Sequence, residues 1–446
     1  MAVKLFGTDG IRGVANKELT PEVAYRLGQA VVKFLAGKKR ARFLVGRDTR
    51  ISGTMLESAL VAGITSAGAS AYVCGVIPTP AVALLVRELE MDGGIVISAS
   101  HNPPEFNGLK VFSREGFKLP DDLEEDIEEF LHSEEPAPAP MGRDIGTVSS
   151  LPDALRRYID AGVSFIEPGL FSNLRVAVDA GHGAAGQSTP HAFERLGASV
   201  TAMNTNFNGN DINVGCGSTN MKKLSNLMKS GNYDLGIAHD GDADRMLAVD
   251  ELGNEIDGDQ IMAICAVYLK SQGRLKNDTV VSTVMCNLGF EVAMKEQGIQ
   301  VVRAQVGDRY VLEQMQAMDA TLGGEQSGHI IFLEHNSTGD GLVTALSLAE
   351  VIVRSGKPLS ELAGVMTEYP QVLLNVPVAD KTHLTASARI TEAVKTAEVE
   401  LGDTGRVLVR ASGTEPLVRV MVEAKDIQVA RRVADELGAL VARELG

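Results

Sequence analysis

The chain is short of the residues that mark several common protein classes. Its four cysteines, Cys74, Cys216, Cys265 and Cys286, are scattered through 446 residues with no CxxC spacing. That argues against a zinc site and leaves reduced thiols as the expectation. Basic residues are outnumbered, 42 Lys and Arg against 58 Asp and Glu, and the net charge of −16 argues against a nucleic-acid surface. An anionic ligand would therefore need a local basic pocket to hold it against the overall field. Met1-Ala2-Val3-Lys4-Leu5-Phe6-Gly7 carries no apolar signal region, so a cytoplasmic protein is expected. The stretch from Ser58 to Val86 has no charged residue and is long enough to be taken for a membrane span. Gly63, Gly68, Gly75, Pro78 and Pro80 interrupt it, so it reads as buried helix, strand and turn.

What the chain does have is apolar runs that end in polar, glycine-containing loops. Hydrophobic content of 44% with 22% charged residues is that of a soluble globular protein. At about 100–200 residues per domain, its length implies three or four of them. Thr20-Pro21-Glu22 opens a helix with a cap, a first-turn proline and an acid near the positive end. Residues 42–46, 71–74 and 94–97 read as strands with helices between them. This alternation predicts a doubly wound α/β domain, with ligands beyond the carboxyl ends of the strands. The pattern restarts at 174–179 and at 279–284, so three similar doubly wound α/β domains are expected. Residues 407–410 and 417–422 look like paired strands flanked by helices, which predicts a C-terminal α+β domain. With a proline-rich break at 134–140, the expected domains are 1–150, 151–252, 253–366 and 367–446.

Four loops carry candidate chemistry. Ser98-Ala99-Ser100-His101-Asn102-Pro103-Pro104 follows a strand and is stiffened by its prolines, which suits the presentation of a nucleophile. Asn107-Gly108 beyond it is a turn signal. His239-Asp240-Gly241-Asp242-Ala243-Asp244-Arg245 places three carboxylates at alternate positions. They repel one another unless a cation neutralises them, and all-oxygen ligands suit Mg²⁺ or Ca²⁺. Asp240, Asp242, Asp244 and Glu251 also fall on the acidic positions of an EF-hand loop. Arg245 stands where that loop needs glycine, however, and a strand-like run follows, so a Mg²⁺ site open to a phosphate is preferred. In Gly323-Gly324-Glu325-Gln326-Ser327-Gly328-His329, Glu325 and Ser327 suit the hydroxyl or amino groups of a sugar. Arg410-Ala411-Ser412-Gly413-Thr414-Glu415-Pro416, with Arg419 beyond, has the parts of a phosphate nest but not the ending of a Walker loop. Near the start, Phe6-Gly7-Thr8-Asp9-Gly10-Ile11-Arg12-Gly13 is too polar for a strand, and its glycines would let Arg12 approach a phosphate.

In this order the loops resemble those of the α-D-phosphohexomutase superfamily, over essentially the whole chain. The resemblance implies four domains around a central cleft, with Ser100 as a phosphoserine and one Mg²⁺ per chain between its phosphate and Asp240, Asp242 and Asp244. It implies that Arg12, Lys110 and Arg245 steady the transferring phosphoryl group and that His101 or Lys110 handles the hydroxyl proton. Glu325, Ser327 and His329 would bind the sugar, and Arg410, Ser412, Gly413, Thr414 and Arg419 its other phosphate. Residues 6–13, 212–219, 306–310 and 324–332 are similar to the branch acting on glucosamine phosphate. Pro104-Glu105-Phe106 looks more like the phosphomannomutase branch, and Gly181-His182-Gly183 stands where the family often has Ala-Asn-Gly. The implied reaction exchanges the 6- and 1-phosphates of glucosamine through a hexose 1,6-bisphosphate, supplying UDP-N-acetylglucosamine synthesis. The implied partners are a sugar phosphate and a phosphoryl donor that first charges Ser100, with no nucleic acid or membrane and with room for a homodimer.

Overall fold

The computed structural model describes residues 5–7, 9–36, 40–412 and 416–446. The chain forms two compact units. One runs up to Met285 and adds Gly298–Val365; the other joins Cys286–Gln297 to Met366–Gly446.

In the first sheet, Arg42–Arg47 lies parallel between Ser70–Val76 and Gly93–Ile97. Alternation puts Phe43, Val45, Ile95 and Ile97 on one face, in the core formed with helices Pro21–Leu35, Gly53–Ser66 and Asp121–His132. The opposite face is cut back to glycine at Gly46 and Gly94. A Cβ at either would stand 2.8 Å from Val82 on the helix Thr79–Glu88, which needs that close approach to pack. Helices thus cover both faces, as a doubly wound sheet requires. The uncharged run resolves into helix, strand and helix, and no helix among the described residues is long and apolar enough to cross a membrane. All four cysteines are free thiols.

Two sequence expectations fail in this sheet. Gly10–Val14 is a strand despite its polarity, paired antiparallel with Phe106–Ser113. The ladder comes from a partner far along the chain, and alternation buries Ile11 (2% exposed) while Arg12 takes the other face. Asn107-Gly108 is not a turn but part of Phe106–Ser113. Gly108 serves close packing instead, since a Cβ there would lie 2.3 Å from the Ser98 carbonyl oxygen.

The strand order recurs. In each of the first three sheets a first parallel strand lies between the second and third, and the third pairs antiparallel with the strand that follows it. In the second sheet these strands are Arg175–Asp179, Ser199–Met203, Leu235–His239 and Met246–Val249. In the third they are Thr279–Thr283, Gln300–Ala304, Leu322–Gly324 and Ile330–Phe332. The three candidate loops of these sheets occupy the same connection, from the third strand to its antiparallel neighbour. In the C-terminal unit Gln371–Pro377, Leu417–Ala424 and Gly405–Ala411 form an antiparallel sheet that shares a core with helices Ala388–Leu401 and Ile427–Leu445. That unit also holds Leu288–Glu296, capped by Asn287, with the Leu288 amide donating to buried Glu423 at 3.1 Å.

Candidate active site

Ser100 is buried at the end of Gly93–Ile97, and its Oγ donates to Asp240 Oδ2 at 2.5 Å. The nucleophile loop and the carboxylate loop, far apart in sequence, therefore meet at one hydrogen bond. The Ser100 amide donates to Ser98 Oγ (2.9 Å), which in turn donates to Asp48 Oδ2 (2.6 Å). His101 Nδ1 stands 3.4 Å from Ser100 Oγ. Burial, then Arg245 and Arg12, pull the His101 pKa down to about 4, so its ring is neutral at physiological pH.

Asp240, Asp242 and Asp244 are all buried, and one oxygen from each lies within 4.8 Å of the others. Asp242 Oδ1 and Asp244 Oδ1 have no hydrogen-bond partner. Buried, unsatisfied carboxylate oxygens are costly, and a hard divalent cation is what such an oxygen set satisfies. The residues fit a metal ion. Burial, then Asp244 and Asp242, hold the Asp240 pKa well above the usual carboxylate range. Asp244 departs the other way, because Lys110, His329 and Arg245 outweigh its burial. Glu251 is no part of the cluster and bonds the amide and hydroxyl of Ser360.

The carboxylate loop is held from three sides. Thr79, at the start of Thr79–Glu88, donates its hydroxyl to Asp242 Oδ2 (2.6 Å) and its amide to the Asp242 carbonyl (2.9 Å). His239, buried and neutral with a pKa pushed down by burial to about 4, bridges Thr189 Oγ1 (2.9 Å) and the Arg245 carbonyl (3.1 Å). At Gly241 an added Cβ would lie 2.6 Å from the Ser100 carbonyl oxygen and 2.7 Å from Ile212. Gly241→Ala should therefore force the nucleophile and metal loops apart. We expect a loss of about 1–3 kcal/mol and a fall in turnover of roughly 100-fold, checked by thermal unfolding and by exchange kinetics. Wild-type turnover in this variant would contradict the packing argument.

Lys110 is 1% exposed and lies 2.8 Å from Asp242, 2.9 Å from Asp244 and 2.9 Å from Asp9. Burial alone would depress its pKa, but the three carboxylates outweigh it and hold the ammonium well above its usual range. In this arrangement Lys110 is held as a cation by those carboxylates. Alternating charge continues outward, with Asp9 paired to Arg12 and to Lys118, and Lys118 to Asp308. His329, also buried, lies 3.8 Å from Asp244 and accepts from the Gly339 amide at 3.0 Å. Arg245 follows the triad with its Nε 4.0 Å from Asp244.

In the third domain's loop, Glu325 accepts from the Gly307 amide (3.3 Å) and from Ser327 Oγ (3.1 Å). Ser100, His101, Lys110, Arg12, Arg245, the Asp triad and His329 thus share one electrostatic cluster, with Glu325 charge-coupled to it through Arg245. In the C-terminal unit Arg410 and Arg419 face each other across paired strands. Burial, then Arg419, lower the Arg410 pKa. Lys381 Nζ donates to the Ser412 carbonyl at 2.6 Å. Gly413 and Thr414 lie outside the described residues. Thr79 and Arg50 were missed by motif reasoning, and Asn213 was marked only within 212–219 with no role, because each reaches the loops through main-chain carbonyls or a remote carboxylate and no spacing announces it.

Four family models match the chain in order. Phosphoglucomutase/phosphomannomutase alpha/beta/alpha domain I matches residues 3–137, domain II 156–253, domain III 257–369, and the C-terminal domain 373–440. The chain belongs to the phosphoglucomutase/phosphomannomutase family and is an intramolecular phosphotransferase, an enzyme of the isomerase class. It is 52% identical to the phosphoglucosamine mutase of Carboxydothermus hydrogenoformans over 440 residues, covering 98% of this chain and 99% of that one. It is 49% identical to the phosphoglucosamine mutase of Geobacillus kaustophilus, covering 99% of both. Among solved structures, a phosphoglucomutase/phosphomannomutase family protein from Burkholderia thailandensis shares the fold at a TM-score of 0.81 and 24% identity, covering 98% of this chain and 97% of that one. The N-acetylphosphoglucosamine mutase of Aspergillus fumigatus, solved with GlcNAc-6P and magnesium, has a TM-score of 0.70 at 17% identity, covering 100% and 96%.

Proposed function

We infer that the chain is a phosphoglucosamine mutase, interconverting glucosamine 6-phosphate and glucosamine 1-phosphate. The observation that carries this reading is the 2.5 Å contact of Ser100 Oγ with Asp240, which sets a nucleophile against a carboxylate triad. Relatives of that name at about half identity over the full length supply the substrate.

In this reading Ser100 Oγ carries a phosphoryl group. The O1 hydroxyl of glucosamine 6-phosphate attacks that phosphorus, the P–Oγ bond breaks, the hydroxyl proton passes to the departing Ser100 Oγ by way of His101 or Lys110, and a 1,6-bisphosphate forms. After the intermediate turns over, Ser100 Oγ takes the O6 phosphoryl group and glucosamine 1-phosphate leaves. A loose transition state for such transfers demands positioning and charge stabilisation more than a strong base. Lys110, Arg12 and Arg245 supply fixed positive charge, and neutral His101 lies within reach of the Ser100 oxygen. Asp240, Asp242 and Asp244 would hold one Mg²⁺ per chain, which when bound neutralises charge on the moving group. Glu325, Ser327 and His329 orient the sugar, while Arg410, Ser412, Gly413, Thr414 and Arg419 bind the phosphate that is not being transferred. A hexose 1,6-bisphosphate, or another phosphoryl donor, first charges Ser100. The enzyme works in the cytoplasm on a soluble sugar phosphate and supplies UDP-N-acetylglucosamine synthesis.

The test compares glucosamine, glucose and mannose phosphates with Mg²⁺ and a bisphosphate primer, following exchange between 6- and 1-phosphate. We expect kcat/KM to favour glucosamine phosphate by at least about tenfold, the scale of one or more well-placed polar contacts. Preference for glucose or mannose phosphate would assign the chain to the sister branch that Pro104-Glu105-Phe106 resembles. Net release of inorganic phosphate in place of exchange would make it a phosphatase.

A further inference from the structure

Ser100 has φ +52°, in the left-handed region. For a residue with a side chain that conformation costs roughly 1–2 kcal/mol and persists only where the surroundings over-determine it. The residue that does most of this is Arg50, which is 1% exposed. Its Nε donates to Asp48 Oδ2 at 2.9 Å. Its Nη2 donates to the carbonyls of Ser100 (3.0 Å) and Asn102 (2.8 Å), and its Nη1 to those of Phe106 (3.0 Å) and Pro103. All five guanidinium N–H donors are used, and four of them hold one loop. Asn213, from the second domain, sends its Nδ2 to two of the same carbonyls, Ser100 (2.8 Å) and Asn102 (3.0 Å).

We propose that Arg50 and Asn213 are positioning residues for phosphoryl transfer, a two-domain brace that fixes loop 100–106 so that Ser100 Oγ faces the Asp triad. Neither side chain meets the reacting atoms in this geometry; both act through the backbone carbonyl of Ser100 and its neighbours. The need for a brace follows from charge. A phosphoryl group on Ser100 brings about −1.5 to −2 charges beside three carboxylates, and whenever no cation lies between them repulsion would push an unbraced loop away. Asn213 also explains part of the distinctive 212–219 segment, whose other residues the catalytic reading leaves without a role.

The inference rests on Ser100 as the phosphoryl carrier, and the experiment separates the two. The full chain, with Mg²⁺, is mixed with ³²P-labelled glucose 1,6-bisphosphate, and labelling of Ser100 is followed by rapid quench alongside steady-state exchange and thermal unfolding. Asn213 has φ +61°, so Asn213→Gly keeps the backbone unstrained and removes only the amide. We expect it to slow labelling and kcat about 10- to 100-fold, with KM for glucosamine 6-phosphate within about twofold and the melting temperature within a few degrees. Arg50→Lys, which keeps the charge but not the planar fork, should slow both at least about 100-fold, the scale of an ångström of misplacement. If Arg50→Lys fails to fold, Asn213→Gly decides alone. Wild-type labelling and kcat in Asn213→Gly, or a loss confined to KM, would overturn the brace while leaving Ser100 as carrier. No label on the unsubstituted chain would overturn both.

Discussion

Ser100→Ala should lower phosphoryl exchange by roughly 10⁴-fold or more, as expected when the atom that forms the covalent intermediate is removed. The protein should still fold. Alanine accepts φ +52° about as poorly as serine does, and Arg50, Asn213 and Ser98 hold the loop through its backbone. What is lost is the donor to Asp240 Oδ2, a cost of about 1–3 kcal/mol if that oxygen is left buried and unsatisfied. Ser100→Thr is the sharper variant, because it keeps the hydroxyl. A β-branched residue at positive φ is a genuine outlier, so threonine should displace the oxygen from Asp240 and slow exchange roughly 100-fold. Rates come from coupled exchange assays and folding from thermal unfolding. Exchange surviving in Ser100→Ala would remove Ser100 from the mechanism. Full activity in Ser100→Thr would show that the backbone conformation is not part of it.

The second large effect concerns Lys110. Lys110→Met keeps length and removes the charge that Asp9, Asp242 and Asp244 share. Breaking a buried ion pair from one side costs about 3–5 kcal/mol, because the remaining charges are uncompensated. In a chelator, the larger unit should therefore melt several degrees lower than in the unsubstituted chain. Mg²⁺ should restore part of the loss, since a cation bound by Asp242 and Asp244 neutralises the two carboxylates left most exposed to the change, while Asp9 keeps Arg12 and Lys118. The decisive measurement is the Mg²⁺-dependent rise in melting temperature, which should be larger in Lys110→Met than in the unsubstituted chain. Equal rises would mean that Lys110 and the metal do not answer to the same carboxylates. Exchange should fall about 10²- to 10³-fold even in saturating Mg²⁺, as fixed positive charge beside the moving group is lost.

Much of this was legible in the sequence, for a physical reason. Ser100, Asp240 and Glu325 sit where an apolar run stops, and a polar cluster at the end of a buried strand has few uses other than binding. The strands themselves were visible because their neighbours are parallel and buried on both faces, as at 43–45 and 95–97. Gly10–Val14 was not, because what makes it a strand is its partner Phe106–Ser113 and not its own composition. Gly108 misled for a related reason: the sequence shows a glycine but not the Ser98 carbonyl it makes room for. Arg50, Thr79 and the role of Asn213 stayed hidden because a carbonyl oxygen looks the same in every residue. An arginine that serves four carbonyls leaves no trace in spacing.

The recurring strand order has a consequence for how such a protein can change. The Ser100 loop, the Asp-triad loop and the Glu325 loop are each carried by a separate module, at the same hairpin-like connection, with both ends of the loop clamped in a hydrogen-bonded ladder. A loop anchored in that way can be rewritten at positions that do not touch the other two without disturbing the core beneath it. If residues 325–327 meet the sugar as proposed, selectivity can drift there while the Ser100 and Asp-triad loops are inherited intact, a division of labour in which new substrates require no new mechanism.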